Sequence, residues 1–206
     1  MELSAATSRR GFMAVTGMAG LAAFVAACGE DDEIGDAYGG AGVGTKQFGQ
    51  GDAGILAYAL YLEYLETAFY EGAIASGRLS GRALELFERF GEEEAAHVKS
   101  LEGALQQLGG KKPPVPEWKF VFENQPGILE TAAQLETVGA GAYLGQVRRI
   151  QGKQILAAAL SIHSVEARHA AALAQFLGRP IAPDGAFAAP SPSADVERQV
   201  QPFVSG

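Results

Sequence analysis

The chain of 206 residues is poor in the residues that cross-link small proteins, and it lacks a long apolar segment. It has a single cysteine, so no disulfide can form within it, and its fold must depend on packing of a core. An apolar run over residues 14–27 is too short, and too rich in glycine and alanine, for a membrane-spanning helix. Basic residues number 16 against 24 acidic ones, and the net charge is −8. This charge disfavours nucleic-acid binding.

The N-terminal segment has the pattern of an export signal. Arg9 and Arg10 precede the apolar run, as in twin-arginine signals, and the run ends at Cys28 in a sequence that resembles a bacterial lipobox. We therefore predict that residues 1–28 direct export and that Cys28 becomes a lipid anchor in the cell envelope. An ordinary signal with a chance cysteine, or a retained anchor, is the alternative. Loss of residues 1–27 removes two arginines and one glutamate, which changes the net charge from −8 to about −9.

Hydrophobic periodicity predicts four long helices after this signal. The predicted helices cover residues 52–76, 80–108, 126–150 and 153–178. Short connections within the first pair and within the second pair make each pair an antiparallel hairpin. About 17 residues separate the hairpins, and this segment can run the length of a helix as a crossover.

The expected architecture is therefore an all-α four-helix bundle with a long crossover between helices 2 and 3. The bundle is predicted to span residues 52–180. A glycine-rich flexible linker over residues 29–51 precedes it. A proline-rich tail over residues 181–206 follows it and is expected to pack over the bundle.

A glutamate-histidine motif occurs twice at matched spacing. A Glu-x-x-His pair occurs twice, 72 residues apart. Another glutamate precedes each pair by 30 or 31 residues. Glutamate and histidine three positions apart lie on one helix face, and the flanking apolar residues indicate that this face is the inner one. The six residues, here called the paired motif, are Glu63, Glu94, His97, Glu136, Glu166 and His169.

The charges of the paired motif indicate metal binding. Burial of four carboxylates in an apolar bundle costs free energy unless they are protonated or paired. No lysine or arginine lies on the inner helix faces that carry them. Two divalent cations would balance four ionised glutamates with both histidines neutral. Oxygen-rich ligation with one imidazole per metal, and without thiolate, suits iron or manganese better than zinc or Cu(I). We expect two metal ions, with iron the first choice and manganese the alternative.

Glu66 is an alternative ligand to Glu63, because it lies one helical turn away and close to the inner face of the same helix. Its counterpart in the second half of the repeat is Gly139, which favours Glu63 as the ligand. Glu92 and Glu93 have no acidic counterparts and are expected to form a solvated face.

His163 lies one turn before Glu166, but its counterpart in the first half is Gly91. We expect His163 to lie at the surface or behind the ligands, and not to bind metal itself.

The paired motif resembles that of the ferritin-like superfamily, which includes bacterioferritin and rubrerythrin. Residues 62–70 and 141–145 further resemble a bacterial ferritin-like group related to desiccation and stress proteins. The resemblance covers about residues 52–180. It implies that all six residues of the paired motif are ligands, with Glu94 and Glu166 bridging the metals. It also implies that Tyr70 and Tyr143 hydrogen-bond ligand carboxylates, although both could simply be core aromatics whose hydroxyls need a partner.

Three functions are compatible with the sequence. The first is a redox protein that oxidises Fe(II) with O2 or peroxide, or removes peroxide in oxidative stress; storage of mineral is not expected of a tethered lipoprotein. The second is an oxidase or oxygenase of an organic substrate, with a channel beside the small residues at 139–142, which could equally serve helix packing. The third is a non-catalytic envelope protein stabilised by metal. The sequence leaves the oligomeric state open, a homodimer included.

Overall fold

The computed structural model describes residues 46–205, and the secondary structure of this part is helical. The predicted export signal, with Cys28, and most of the predicted linker lie outside the described residues. The prediction of an all-α bundle is confirmed. The four long helices and one short helix of the tail are α1 (Gly51–Ala75), α2 (Gly81–Gln107), α3 (Gln125–Gln146), α4 (Lys153–Phe176) and α5 (Ser193–Val200).

The bundle consists of two hairpins. Helix α1 packs along α2 and α3 packs along α4, while α1 also contacts α3 and α2 contacts α4. Gly77 ends the first helix with a φ of +65°, a conformation in which glycine is unstrained. Asn124 caps α3, because its side-chain oxygen accepts a hydrogen bond from the backbone of Gly127. The short first connection thus forms an antiparallel pair, as expected.

The long helices begin and end within two residues of their predicted limits, except at the end of α3. That helix stops at Gln146 because the chain tightens into a 3-10 turn over Val147–Arg149. The carboxylate of Asp52 then accepts hydrogen bonds from the backbone of Gln151 and Gly152, at 2.9 and 2.7 Å. The start of α1 is therefore joined to the turn of the second hairpin.

The crossover, residues 108–124, covers the outer side of α1 with aromatic rings. Trp118 contacts Tyr61 with 5.4 Å between ring centroids, and Phe69 contacts Phe120 at 5.3 Å and Phe122 at 5.7 Å. Phe69 is almost fully buried. The crossover therefore completes one end of the hydrophobic core and is not a loose loop.

The tail packs on the bundle, and it contains a helix that the sequence analysis did not predict. Val196 and Val200 of α5 are buried, and an isolated bridge pairs Trp118 of the crossover with Val204. The short α5 is amphipathic, but the prolines around it made the segment read as irregular in the sequence. Within residues 46–205, no helix combines the length and the apolar character that a membrane span requires.

Candidate metal centre

All six residues of the paired motif meet in the middle of the bundle. The four glutamates are fully buried, and the two histidines are buried as well. They form two overlapping groups whose potential ligand atoms lie within 4.8 Å of one another, and both groups contain Glu94 and Glu166. The first group is Glu63, Glu94, His97 and Glu166; the second is Glu94, Glu136, Glu166 and His169.

Each long helix contributes inward ligands at mid-length. Helices α1 and α3 supply one glutamate each, at positions 63 and 136, whereas α2 and α4 each supply a Glu-x-x-His pair. The three-residue spacing places glutamate and histidine on one face of the helix, among the apolar side chains that form the core. Because the helices of each hairpin are antiparallel, the residues from all four helices lie at the same height along the bundle.

Carboxylate oxygens crowd around one nitrogen of each histidine. His97 Nδ1 lies 3.0 Å from a Glu94 oxygen and 3.3 Å from oxygens of Glu63 and Glu166. His169 Nδ1 lies 2.9 Å from a Glu94 oxygen and 3.2 Å from one of Glu136. Donor atoms about 2.1 Å from one octahedral cation are about 3.0 Å apart. The observed distances therefore suit a cation held among these atoms.

Hydrogen bonds within the protein do not satisfy the cluster. Among the described residues, Glu63 Oε2, Glu94 Oε1 and both carboxylate oxygens of Glu166 are buried without a hydrogen-bond partner. Three of these oxygens approach an imidazole nitrogen, but one ring nitrogen carries at most one hydrogen and cannot serve several oxygens. Buried carboxylate oxygens are costly when unpaired. The donor set thus fits a metal centre.

The cluster holds protons when no cation is present. Burial and the Glu94 charge raise the pKa of Glu63 to about 8, although the neighbouring His97 acts to lower it. Burial and neighbouring carboxylates raise the pKa of Glu166 well above its usual value. Burial lowers the pKa of both histidines, but the adjoining carboxylates outweigh it and raise the pKa of His97 to about 12 and that of His169 to about 11. A cation must therefore displace protons when it binds.

Two tyrosines connect the hairpins behind the carboxylates. The Tyr70 hydroxyl of α1 donates to Glu136 of α3, and the Tyr143 hydroxyl of α3 donates to Glu63 of α1. Burial, followed by the nearby carboxylate charges, raises the pKa of both hydroxyls well above the usual value, so both remain neutral donors. The two hydrogen bonds are related by the repeat, since each joins a tyrosine of one hairpin to a glutamate of the other.

Glu66 is a fifth buried carboxylate at the centre. It is 2% exposed and its Oε2 atom has no hydrogen-bond partner in the described part of the chain. Glu63 belongs to the first group of potential ligands, whereas Glu66 belongs to neither group. Burial, followed by the charges of Glu166 and Glu63, raises its pKa well above the usual value. Glu66 is therefore a protonated neighbour of the ligands in the metal-free protein.

Glu93 lies only in part on the expected solvated face, because its side chain is 35% exposed but also reaches the centre. Its Oε2 atom lies 2.6 Å from His169 Nε2, because α2 and α4 approach closely at this level. Glu92 is exposed, as expected. His163 lies outside both ligand groups, and its Nδ1 atom lies 3.0 Å from the carbonyl oxygen of Ala140. No spacing rule within the repeat could have identified Glu93, since Val165 occupies the equivalent position.

The small residues at 139–142 border both a surface cleft and the carboxylate cluster. Ala140 and Gly141 line a cleft of about 880 Å³ between α3, α4 and the tail. A Cβ atom at Gly139 would lie 2.6 Å from a Glu66 oxygen, and one at Gly141 would lie 2.3 Å from Ser191 Oγ of the tail. Gly145 faces the carbonyl oxygen of Ser191 in the same way. Carboxylates thus fill the space beside Gly139, whereas Ser191 of the tail packs against Gly141 and Gly145 at the edge of the cleft.

Four helices around a buried cluster of carboxylates and imidazoles define the class of carboxylate-rich helical bundles. The chain belongs to the family of ferritin-like domains, whose model matches residues 51–179. A solved structure of Rv2844, a conserved hypothetical protein from Mycobacterium tuberculosis, is similar at 19% identity with a TM-score of 0.53. The match covers 62% of this chain and 90% of that chain, and it shows the fold alone. No curated protein significantly matches the chain.

Proposed function

We propose that this chain is an exported ferritin-like protein that binds two iron or manganese ions and acts in Fe(II) oxidation or peroxide removal. The observation that carries the proposal is the overlap of the two ligand groups at Glu94 and Glu166. A carboxylate that belongs to both groups can bind one cation through each oxygen. Two cations would also neutralise the four glutamates of the paired motif, which are fully buried.

A pair of such ions, when bound, supplies one-electron redox chemistry at two adjacent positions. The protein's residues supply the setting for it. Glu94 and Glu166 hold the shared positions, His97 and His169 offer neutral nitrogen donors, and burial keeps bulk water away from the centre. In the proposed reaction, two Fe(II) substrate ions each release one electron. One peroxide molecule takes up these two electrons and two protons and gives two water molecules.

Oxidation of an organic substrate would need a channel from the surface to the centre. A cleft of about 880 Å³ borders Ala140 and Gly141, but at Gly139 the carboxylates of Glu66 and Glu166 occupy the space. An apolar cavity does lie beside Tyr143, between α1 and the end of α3, but its volume is about 10 Å³. That volume accommodates about one water molecule and is too small for an organic substrate.

Metal content and iron oxidation test this function together. The purified chain, incubated with Fe(II) or Mn(II) and desalted, is expected to hold about two ions by mass spectrometry. A Glu94→Ala, Glu166→Ala double variant should lose both. The loaded protein should accelerate peroxide-dependent Fe(II) oxidation over the variant. A folded wild-type chain that binds neither ion would refute the proposal, and two bound ions without redox activity would leave a metal-stabilised structural protein.

We also propose that the chain is exported by the twin-arginine route and anchored to the membrane through Cys28. The sequence pattern at Arg9, Arg10 and the following apolar run supports this location. That route carries folded proteins, which suits a metal protein loaded in the cytoplasm. Arg9→Lys, Arg10→Lys variants should retain the chain in the cytoplasm, and Cys28→Ser should abolish palmitate labelling. Normal export and labelling of these variants would contradict the proposal.

A further inference from the structure

The two histidines of the metal centre have equivalent positions in the repeat but different surroundings. The Nδ1 atom of each faces the carboxylates of its ligand group. The Nε2 atom of His169 lies 2.6 Å from Glu93 Oε2. No described residue forms a comparable hydrogen bond with Nε2 of His97. The two halves of the centre therefore differ in the residues that contact the outer nitrogen of each histidine, and not in the potential ligands, which repeat.

Glu93 also contacts an arginine of its own helix. One of its carboxylate oxygens lies 3.1 Å from Arg89 Nε, one turn earlier on α2, and the other faces His169. A carboxylate accepts hydrogen bonds and does not donate them when ionised. Once the His169 ring has lost a proton and become a neutral donor, its remaining hydrogen is therefore expected on Nε2, which leaves the Nδ1 lone pair directed at the carboxylate cluster.

A stacked ring fixes the same imidazole from the side. Phe90 lies against His169 with 3.8 Å between ring centroids and an interplanar angle of 21°. Phe90 and Glu93 are three residues apart and so lie on one face of α2. Together they set both the plane and the rotation of the His169 ring.

The other half of the repeat lacks both contacts. With the offset of 72 residues that relates the two Glu-x-x-His pairs, Phe90 corresponds to Ile162 and Glu93 corresponds to Val165. Neither aliphatic side chain can accept a hydrogen bond or stack as an aromatic ring. His97 is consequently positioned by its ligand group alone.

We infer that Glu93 is a positioning residue that makes the two metal positions unequal, so that the position of His169 fills first and binds more tightly. This inference rests on the proposed metal-binding function. A carboxylate on the outer nitrogen of a ligating histidine fixes its tautomer and orientation and increases its basicity, and the loss of such a partner typically lowers metal affinity about 10- to 100-fold. Only one of the two positions has this partner.

Calorimetric titration of the full-length, metal-free chain with Mn(II) tests the inference without any activity assay. The wild type should bind in two steps whose dissociation constants differ at least about tenfold. Glu93→Gln keeps the shape of the side chain but removes its charge, and should weaken the tighter step about 10- to 100-fold while leaving the weaker one in place. Glu92→Gln, the same change at an exposed neighbour, should alter neither step.

A double-variant cycle separates this role from a general effect on folding. His169→Ala should abolish the tighter step, and adding Glu93→Gln to it should cause no further loss. The inference would be overturned if the wild type bound Mn(II) in two equal steps. It would also be overturned if Glu93→Gln weakened both steps equally, or if the Glu93 and Glu92 variants did not differ. Absence of any Mn(II) binding by the folded wild type would instead refute the metal-binding function itself.

Discussion

The side chain of Glu66 occupies the space that Gly139 leaves free on the opposite helix. A Cβ atom at Gly139 would lie 2.6 Å from Glu66 Oε1 and 2.7 Å from Glu166 Oε2. In the repeat these two positions correspond, one carrying a carboxylate and the other only hydrogen. Because Gly139 has no side chain, Glu66 fits into the core as a fifth buried carboxylate beside the four of the paired motif.

Gly139→Ala should destabilise the metal-free protein by about 1–3 kcal/mol, because the added methyl group overpacks a core of fixed carboxylates. The variant should also bind less metal, since Glu166 would have to move. Urea unfolding and metal analysis measure the two effects. Gly103→Ala is the matched control: a Cβ there meets nothing within 4 Å, and alanine should stabilise the helix by about 0.5–1 kcal/mol. Equal effects of the two substitutions would contradict the packing described here.

Glu66→Gln should leave the metal content at the wild-type level, whereas Glu63→Gln should lower it. Glu66 lies outside both ligand groups and is protonated in the metal-free protein because its pKa is raised, so an amide replaces it with little change. Glu63 belongs to the first ligand group. Mass spectrometry of the two variants after identical loading gives the comparison. Metal loss in the Glu66 variant alone would make Glu66 the ligand instead of Glu63.

Much of this centre could be predicted from the sequence, because a helix converts residue spacing into a shared face. The repeat located the six residues of the paired motif, and the short links within the hairpins placed them level. The burial of Glu66 could not be predicted in the same way. It depends on the close approach of α1 to α3 at Gly139, which is a property of packing between helices that are far apart in the chain.

The same limit applies to Glu93 and to the tail. Glu93 was assigned to a solvated face because no acidic residue repeats it, yet the crossing of α2 and α4 brings it to His169. The tail has four prolines after position 180 and reads as irregular, but its helix α5 buries Val196 and Val200 against the bundle. Periodicity within eight residues is too weak a signal to predict such a helix.

Tyr70→Phe should destabilise the metal-free protein by about 1–3 kcal/mol, because the Glu136 oxygen that accepts its hydrogen bond would be left unsatisfied in the core. Tyr143→Phe should do the same at Glu63. Urea unfolding of EDTA-treated protein measures both losses. Tyr61→Phe is the control, because the Tyr61 hydroxyl makes no hydrogen bond within the described residues. A Tyr70 variant as stable as the Tyr61 variant would show that this hydrogen bond contributes nothing to stability.

The stabilising effect of metal should increase with pH between about 5.5 and 8. In the metal-free protein the pKa of Glu63 is raised from 4.5 to about 8, so its contribution to stability is present below pH 4.5 and is lost as the pH rises towards 8. The pKa values of His97 and His169, raised from 6.5 to about 12 and 11, act in the same direction above pH 6.5. Glu94, with a pKa lowered to about 2, stays ionised over this range and adds no slope.

The metal-loaded protein should have the opposite dependence, because cations bind the deprotonated ligands. Each proton displaced makes the apparent Mn(II) affinity rise about tenfold per pH unit. Melting temperatures with saturating Mn(II) and with EDTA should therefore diverge from pH 5.5 to pH 8, mainly through a fall in the metal-free value. The Glu94→Ala, Glu166→Ala double variant should show no such divergence. A gap that stays constant or narrows with pH would mean that the carboxylates and imidazoles of the centre do not release protons to the metal.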